Sequence, residues 1–410
     1  MTVGIETMNI YGGVASMDVR KIFAHRSLNL ARFDNLMMEK KSVSLPCEDP
    51  VSYGVNAARP ILDQLSDKEK SRIEMVITAS ESGIDFGKSL STYIHHYLGL
   101  SKNCRLFEIK QACYGGTAAL QLAVHYIAAG LSPGAKVLVI ATDVARYAGN
   151  IVYAEPSQGA GAVAMLVSAD ADVFSLDPGA YGCHSYEVMD GFRPEPDMET
   201  GDSDLSLLSY MDCLKQSYDA YCGKVENVCY QNTFDYLVFH TPFAGMVKGA
   251  HQRMMRQYMK ATDLDSISDF DRRISPSLSY CTKIGNVYSA TLYVALSGLI
   301  DNEHTLEDRR VGLFSYGSGC SSEFFSGLIS TYAKKKMAPM NIAQRLSDRH
   351  ELSLDEYLNL LALNSSWTFG TKDRTVDFSE FQSVYQRAFE GRGLLVLDKI
   401  ENYHRKYSWS

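Results

Sequence analysis

The stretch Glu108-Ile-Lys-Gln-Ala-Cys113-Tyr-Gly-Gly-Thr-Ala-Ala-Leu-Gln-Leu-Ala-Val-His125 sets one cysteine at the mouth of a long apolar run, with two glycines directly behind it. The pattern predicts a buried helix starting near Cys113, its unpaired N–H groups and the positive end of its dipole aimed at the sulfur. Such an environment favours thiolate, the reactive form of a cysteine nucleophile. Gly115 and Gly116 carry no side chains and let a substrate or a neighbouring strand approach the first turn. A cysteine in an Ala-rich stretch is also an ordinary small core residue. Partners elsewhere in the chain decide between the two.

Those partners are present. Met75-Val-Ile-Thr-Ala-Ser-Glu81 reads as a short buried strand ending on a carboxylate, and Tyr236-Leu-Val-Phe-His240 as another ending on a histidine. Gly285-Asn286 opens a second apolar helix, and Leu313-Phe-Ser-Tyr-Gly317-Ser318-Gly319 runs a strand into a glycine turn. The first half follows the order strand to Glu81, helix from Cys113, strand 136–143, strand 161–167. The second repeats it as strand to His240, helix from Asn286, strand 310–315, strand 323–329. A duplication of this kind predicts two pseudo-symmetric α/β halves whose helix starts and strand ends meet at one central point.

Residues 1–168 and 169–332 are the expected halves, and 333–410 an appended segment. Between the halves, 185–204 turns acidic with Pro194 and Pro196 and reads as a mobile loop. Beyond Tyr332, Leu354, Tyr357, Leu358 and Leu361 fall at helical spacing, followed by an apolar Leu394-Leu-Val-Leu397, so a helical layer over the core is expected. A chain of 410 residues with 46% hydrophobic content can bury a large core. The net charge of −8 argues against a general nucleic-acid binder. Nine cysteines without a Cys-x-x-Cys pair indicate neither a disulfide framework nor a zinc site, so no metal is expected and a reducing cytoplasm fits. The amino terminus lacks a signal-peptide progression, and the apolar run 114–130 is too short and too polar at Gln121 and His125 for a membrane span.

These segments, with Val3-Gly-Ile-Glu-Thr-Met-Asn-Ile-Tyr11, Asp49-Pro-Val-Ser-Tyr-Gly-Val-Asn-Ala-Ala58, Asp143-Val-Ala-Arg-Tyr147 and Gln158-Gly-Ala-Gly-Ala-Val-Ala164 in this order, resemble the thiolase superfamily and, within it, the 3-hydroxy-3-methylglutaryl synthases. The resemblance covers nearly the whole length. It implies a layered αβαβα fold of two pseudo-symmetric halves with an appended C-terminal helical region, expected as a homodimer. It also implies a chemistry. Cys113 takes an acetyl group from a thioester, Glu81 removes a proton from that acetyl group, and His240 binds and polarises the ketone of a 3-oxoacyl acceptor. Asn286 and Ser318 would orient groups around His240, while Asp143, Tyr147, Asp202 and Lys248 match positions of the substrate pocket. Asn286 could equally cap its helix, Asp143 a turn, and Ser318 sit in an ordinary glycine turn. Cys320 invites comparison with the second cysteine of degradative thiolases, but the residues around it do not match.

One departure concerns the acyl carrier. Coenzyme A-using members usually carry a lysine where this chain has Gly245, and the following helix offers Arg253, Arg256 and Lys260 on one face. A missing cation near the pocket and a basic stripe outside it fit an acyl carrier protein, with its single phosphopantetheine phosphate and acidic surface. The stripe could instead be a solvated face. The wording most resembles the synthases of polyketide β-branching, which use carrier-bound substrates and no bound cofactor of their own. The alternatives are the coenzyme A enzyme of the mevalonate route and, against the presence of Cys113, Glu81 and His240 together, a non-catalytic scaffold.

Overall fold

In the first half every residue of β1 (Gly4–Tyr11) is buried, as are those of the two long strands 136–144 and 160–168. Side chains apolar on both faces can be satisfied only at the centre of a layered α/β structure. A computed structural model describes residues 2–145, 152–195, 198–302, 307–364 and 369–410. The other principal strands are β2 (Ile73–Ala79), β3 (Arg105–Ile109), β4 (Lys136–Val144), β5 (Ala160–Ser168), β6 (Phe174–Ser185), β7 (Gly191–Glu195), β8 (Met198–Gly201), β9 (Tyr236–Phe239), β10 (Arg309–Gly317) and β11 (Ser321–Ile329).

Nine of them join in the order β9-β10-β11-β6-β1-β5-β4-β2-β3. The duplication is visible in their directions. Strands β2 and β4 are parallel, β4 and β5 antiparallel, and β5 and β1 antiparallel. Strands β9 and β10 are parallel, β10 and β11 antiparallel, and β11 and β6 antiparallel. The halves meet where β1 pairs with β6 at Gly4 and Ile5.

The two apolar helices, α1 (Gly115–Ala128) and α2 (Thr291–Asn302), meet at their N-terminal ends. A Cβ on Gly116 would lie 2.2 Å from the Ser289 carbonyl oxygen, so only glycine permits this approach. Beside it the Tyr293 hydroxyl donates to Thr117 Oγ1 at 2.9 Å. The helix starts therefore converge, as the repeated order predicts.

The segment 185–204 departs from the expected loop. Strands β7 and β8 form an antiparallel hairpin there, pairing Phe192 with Thr200 and Gly191 with Gly201. The acidic and proline-rich composition hides this, because the hairpin is held by side-chain pairing with the rest of the site. The tail is helical over Leu354–Asn364 and Gln382–Ala388, as expected, and adds a β-hairpin of Leu395–Glu401 with His404–Trp409. The apolar Leu394–Leu397 run enters that hairpin: the Leu397 N–H donates to the Cys47 carbonyl and Leu395 N–H to Asn56 Oδ1, both at 2.8 Å. Leu346, Tyr357, Phe389 and Leu397 share one apolar core with the first half.

Candidate active site

The sheet topology brings Glu81, Cys113, His240, Asn286, Ser318 and Asp202 to the wall of one cavity of about 450 Å3. Cys113 sits on a sharp turn between β3 and α1, where Ala112 adopts a left-handed φ of 41°. Such backbone costs on the order of 1 kcal/mol and persists where surrounding contacts enforce it. Here the contact is Gly317, on which a Cβ would lie 2.6 Å from Tyr114 N and 2.7 Å from the Gln111 carbonyl oxygen. The end of β10 thus presses directly on the cysteine turn and carries Ser318 into the cavity.

Glu81 follows β2, and its Oε1 lies 3.4 Å from Cys113 Sγ. Burial, and secondarily Asp143, pushes the Glu81 carboxyl up to about 8. Burial and the neighbouring Glu81 push the Cys113 thiol well above its ordinary value. This corrects the expectation of a resting thiolate. The helix begins at Gly115, two residues past the sulfur, and dehydration beside a carboxylate outweighs its dipole. The resting site is a thiol facing a carboxyl group, and the proton must move when substrate arrives.

This electrostatic arrangement has a stability consequence. The folded-state pKa of Glu81 exceeds its ordinary 4.5, so the folded protein binds more protons than the unfolded chain between about pH 4.5 and 8, and stability falls as pH rises through that window. Glu81→Gln removes the titration. The stability of Glu81→Gln relative to wild type is expected to rise between pH 5 and 8 by up to about 1 kcal/mol per pH unit in urea unfolding. A difference that stays flat with pH would mean that Glu81 remains ionised.

Asp143 is fully buried beneath this loop and does not line the cavity. Its Oδ1 accepts from Ser80 Oγ, Glu81 N, Ser82 N and Ser82 Oγ at 2.8–3.0 Å. Its Oδ2 accepts from Ser289 N and Ser289 Oγ. One carboxylate therefore ties the Glu81 loop of the first half to the helix start of the second. It shapes the pocket through Glu81.

His240 continues β9, its N–H bonded to the Phe314 carbonyl at 2.8 Å and its own carbonyl accepting from Tyr210 Oη at 2.7 Å. Burial pushes the imidazole down to about 3, so it is neutral at physiological pH. Nδ1 is buried without a partner. Asn286 caps its helix and also lies on the cavity wall. Its Oδ1 accepts from Tyr288 N and Thr291 Oγ1, each at 2.9 Å. Asp202 likewise caps the helix Ser203–Cys222 by accepting from Asp204 N and Leu205 N.

Other expectations fall elsewhere. Tyr147 lies outside the described residues. Lys248 is not at the cavity; its ammonium rests over the Phe270 ring, 5.8 Å from the centroid, because its side of the helix Ala244–Met259 packs on the next helix. Cys320 is buried with its sulfur 3.1 Å from that of Cys213, away from Cys113, and does not serve as a second cavity cysteine. Gly245 is explained by packing: a Cβ there would lie 1.7 Å from the carbonyl oxygen of Asn35, in the helix Leu30–Leu36. No lysine can stand in this position while that helix is docked. Arg253, Arg256 and Lys260 are exposed as expected, with Arg256 already paired to Asp263 at 2.7 Å. Among the described residues no group of three metal-ligating side chains is found.

The hairpin supplies residues that the sequence did not single out. Arg193 donates to the Glu81 carbonyl at 3.2 Å and to Glu199 Oε2 at 3.0 Å. The same oxygen accepts from Gln158 Nε2 and Tyr288 Oη, each at 3.0 Å. Asp190, just before the hairpin, accepts from Gly319 N at 2.8 Å and from Tyr316 Oη. A cation and an acid flanking two prolines are the only trace of this in the sequence. The cavity wall also carries an apolar group of Phe23, Leu28, Leu36, Phe243 and Met246, and the exposed Arg32 lines it too.

A thiol, a carboxyl of raised pKa and a neutral histidine at the seam of two repeated α/β halves define an acyl-condensing enzyme of thiolase-like fold. The chain belongs to the hydroxymethylglutaryl-coenzyme A synthase family, whose N-terminal model matches residues 2–172 and whose C-terminal model matches 174–266 and 256–409. It is 50% identical to the polyketide biosynthesis 3-hydroxy-3-methylglutaryl-ACP synthase PksG of Bacillus subtilis, across 100% of this chain and 99% of that one. The hydroxymethylglutaryl-CoA synthase of Enterococcus faecalis is 33% identical over 88% of this chain and 92% of its own. Among solved structures, the curacin-pathway HMG synthase in complex with acetyl donor-ACP superposes with a TM-score of 0.98 at 54% identity, covering both chains fully.

Proposed function

We propose that this enzyme condenses an acetyl group held on Cys113 with the β-keto group of a carrier-protein-bound 3-oxoacyl thioester, giving a 3-hydroxy-3-methylglutaryl-type thioester in polyketide β-branching. The observation that carries the mechanism is the 3.4 Å contact between Cys113 Sγ and Glu81 Oε1 inside a cavity shared with His240. In the ionised fraction, Glu81 accepts the thiol proton as sulfur attacks the acetyl thioester, and it passes that proton to the departing pantetheine thiolate, which leaves Glu81 ionised again. Glu81 then removes a proton from the acetyl methyl group. The carbanion adds to the acceptor ketone, whose oxygen receives a hydrogen bond from neutral His240, and Glu81 returns its proton to the new alkoxide. Water finally cleaves the Cys113 thioester, releasing a carboxylate and restoring the thiol.

Oxyanion stabilisation falls to the backbone N–H of Cys113, since those of Tyr114 and Gly115 donate to the Gln111 and Ala112 carbonyls. The Gly319 N–H is committed to Asp190 and does not contribute. The apolar part of the lining suits a pantetheine arm as acyl carrier, and the absence of a lysine at Gly245 argues in the same direction. Nine free thiols agree with a reducing cytoplasm, and among the described residues no helix is long and apolar enough to cross a membrane.

The donor is tested by competition. Acetyl carrier protein is expected to acetylate Cys113 far faster than acetyl-coenzyme A, with a preference that shrinks as salt screens exposed charges. Mass spectrometry of the Cys113 peptide reads the adduct, which Cys113→Ala should abolish. Reversing Arg253 and Arg256 to Glu is expected to slow carrier-dependent acetylation while sparing a small acetyl thioester. Equal use of both donors would favour the coenzyme A enzyme, and an acetyl group on Cys320 would overturn the nucleophile.

A further inference from the structure

A second cavity, of about 330 Å3, lies between the turn after β1 and the tail, and it shares no lining residue with the catalytic one. Its walls include Arg345, Arg349, Arg387 and Arg392 together with a single carboxylate, Asp348. Four guanidiniums in one cavity of an acidic protein are unexpected. Among the described residues none of the four has a carboxylate partner.

The two inner arginines are held by neutral groups only. Arg349 is 8% exposed, and donates to the carbonyls of Leu346 and Lys283 and to Ser42 Oγ at 2.7–3.1 Å. Arg345 donates through Nη2 to Asn9 Oδ1 and the Ile10 carbonyl, and its Nε is buried with no acceptor at all. Burial pushes both guanidiniums down, Arg349 to about 10, which still leaves it charged at neutral pH. Buried charge without a counter-charge is costly, and an unsatisfied buried N–H adds to that cost.

The nearby acids are occupied elsewhere. Asp348 accepts from Gln344 Nε2 at 2.6 Å, Glu356 faces His350, and Glu48 accepts from the Tyr11 and Tyr53 hydroxyls. The outer pair, Arg387 and Arg392, stands at the rim, exposed, with Arg392 Nη2 on the Arg387 carbonyl at 2.8 Å. An exposed cationic rim above a buried cationic floor is the arrangement that captures an anion, since each guanidinium offers a planar fork of donors to paired oxygens. The cavity volume is at the lower end of small-ligand pockets, about 300–1,000 Å3.

We propose that this cavity binds a small multivalent oxyanion, of phosphate or polycarboxylate class, between the four arginines. The bound anion supplies the missing counter-charge to Arg345 and Arg349 and an acceptor for Arg345 Nε. The site stands behind the catalytic one: Arg349 holds the carbonyl of Lys283, and three residues further on Asn286 lines the catalytic cavity.

The test is calorimetric titration of the full-length protein with diphosphate and, separately, with citrate, each against chloride at matched ionic strength. One site per chain is expected. The double variant Arg387→Gln, Arg392→Gln changes only exposed side chains and is expected to weaken binding tenfold or more, while Cys113 is still acetylated at the wild-type rate in anion-free buffer. Tighter diphosphate assigns the phosphoryl class and tighter citrate the carboxylate class. No binding above chloride for either anion, or equal binding by wild type and double variant, would overturn the proposal; the latter would place the anion elsewhere, such as the entrance used by the pantetheine phosphate.

Discussion

Glu81→Ala is expected to accumulate acetyl-Cys113 while losing carbon–carbon bond formation by about a hundredfold or more, the usual contribution of a positioned general acid–base group. The two steps separate because they ask different things of the carboxylate. Acetylation needs a thiol proton to leave, and solvent or the departing thiolate can accept it once Glu81 is gone. Removing a proton from the acetyl methyl group has no such substitute, since His240, neutral and pushed down to about 3, is a weak base. Alanine also lifts the carboxylate that helps hold the Cys113 thiol up, so acetylation can even accelerate. Intact-protein mass spectrometry after rapid mixing reads the adduct, and product analysis reads condensation. A Glu81→Ala enzyme that condenses at near wild-type rate would move the base to another residue.

The parts of the site that are legible in the sequence share one property: each is a polar residue at the end of an apolar run. Glu81, Cys113, His240 and Asn286 follow strands or open helices whose burial is written in their composition, and the repeated order of those elements places them together. Arg193 and Glu199 lack such a frame. They lie on strands of five and four residues, too short for an alternating pattern to stand out from a polar, proline-bearing stretch. Their meaning comes from tertiary contacts with Glu81, Gln158 and Tyr288. Gly245 is similar, because the carbonyl that excludes a side chain there belongs to Asn35, far away in the chain. The absence of a resting thiolate has the same origin. A helix start can be read locally, whereas full dehydration of the sulfur beside a carboxylate depends on everything packed around it.

Asp143 carries the other large effect, and it does so without touching the cavity. Six hydrogen bonds converge on its two oxygens, three of them from the backbone N–H groups of Glu81, Ser82 and Ser289. Alanine would strand the Glu81 and Ser289 N–H groups, while that of Ser82 keeps Ser80 Oγ at 2.9 Å, and each unsatisfied group costs about 1–3 kcal/mol. Serine hydroxyls can turn to other acceptors, but backbone N–H groups cannot. Asp143→Ala is therefore expected to lower stability by about 3–5 kcal/mol, the range of the severest single substitutions. Asp143→Asn keeps one carbonyl oxygen and the same shape, but its amide must face donors on one side. It is expected to fold with a smaller loss and to retain Cys113 acetylation more fully than condensation, because the Glu81 loop, rather than the nucleophile turn, is what Asp143 holds. Chemical unfolding and the ratio of acetyl adduct to condensed product measure the two effects. If Asp143→Asn impaired acetylation and condensation equally, Asp143 would serve the whole fold and not the placement of Glu81.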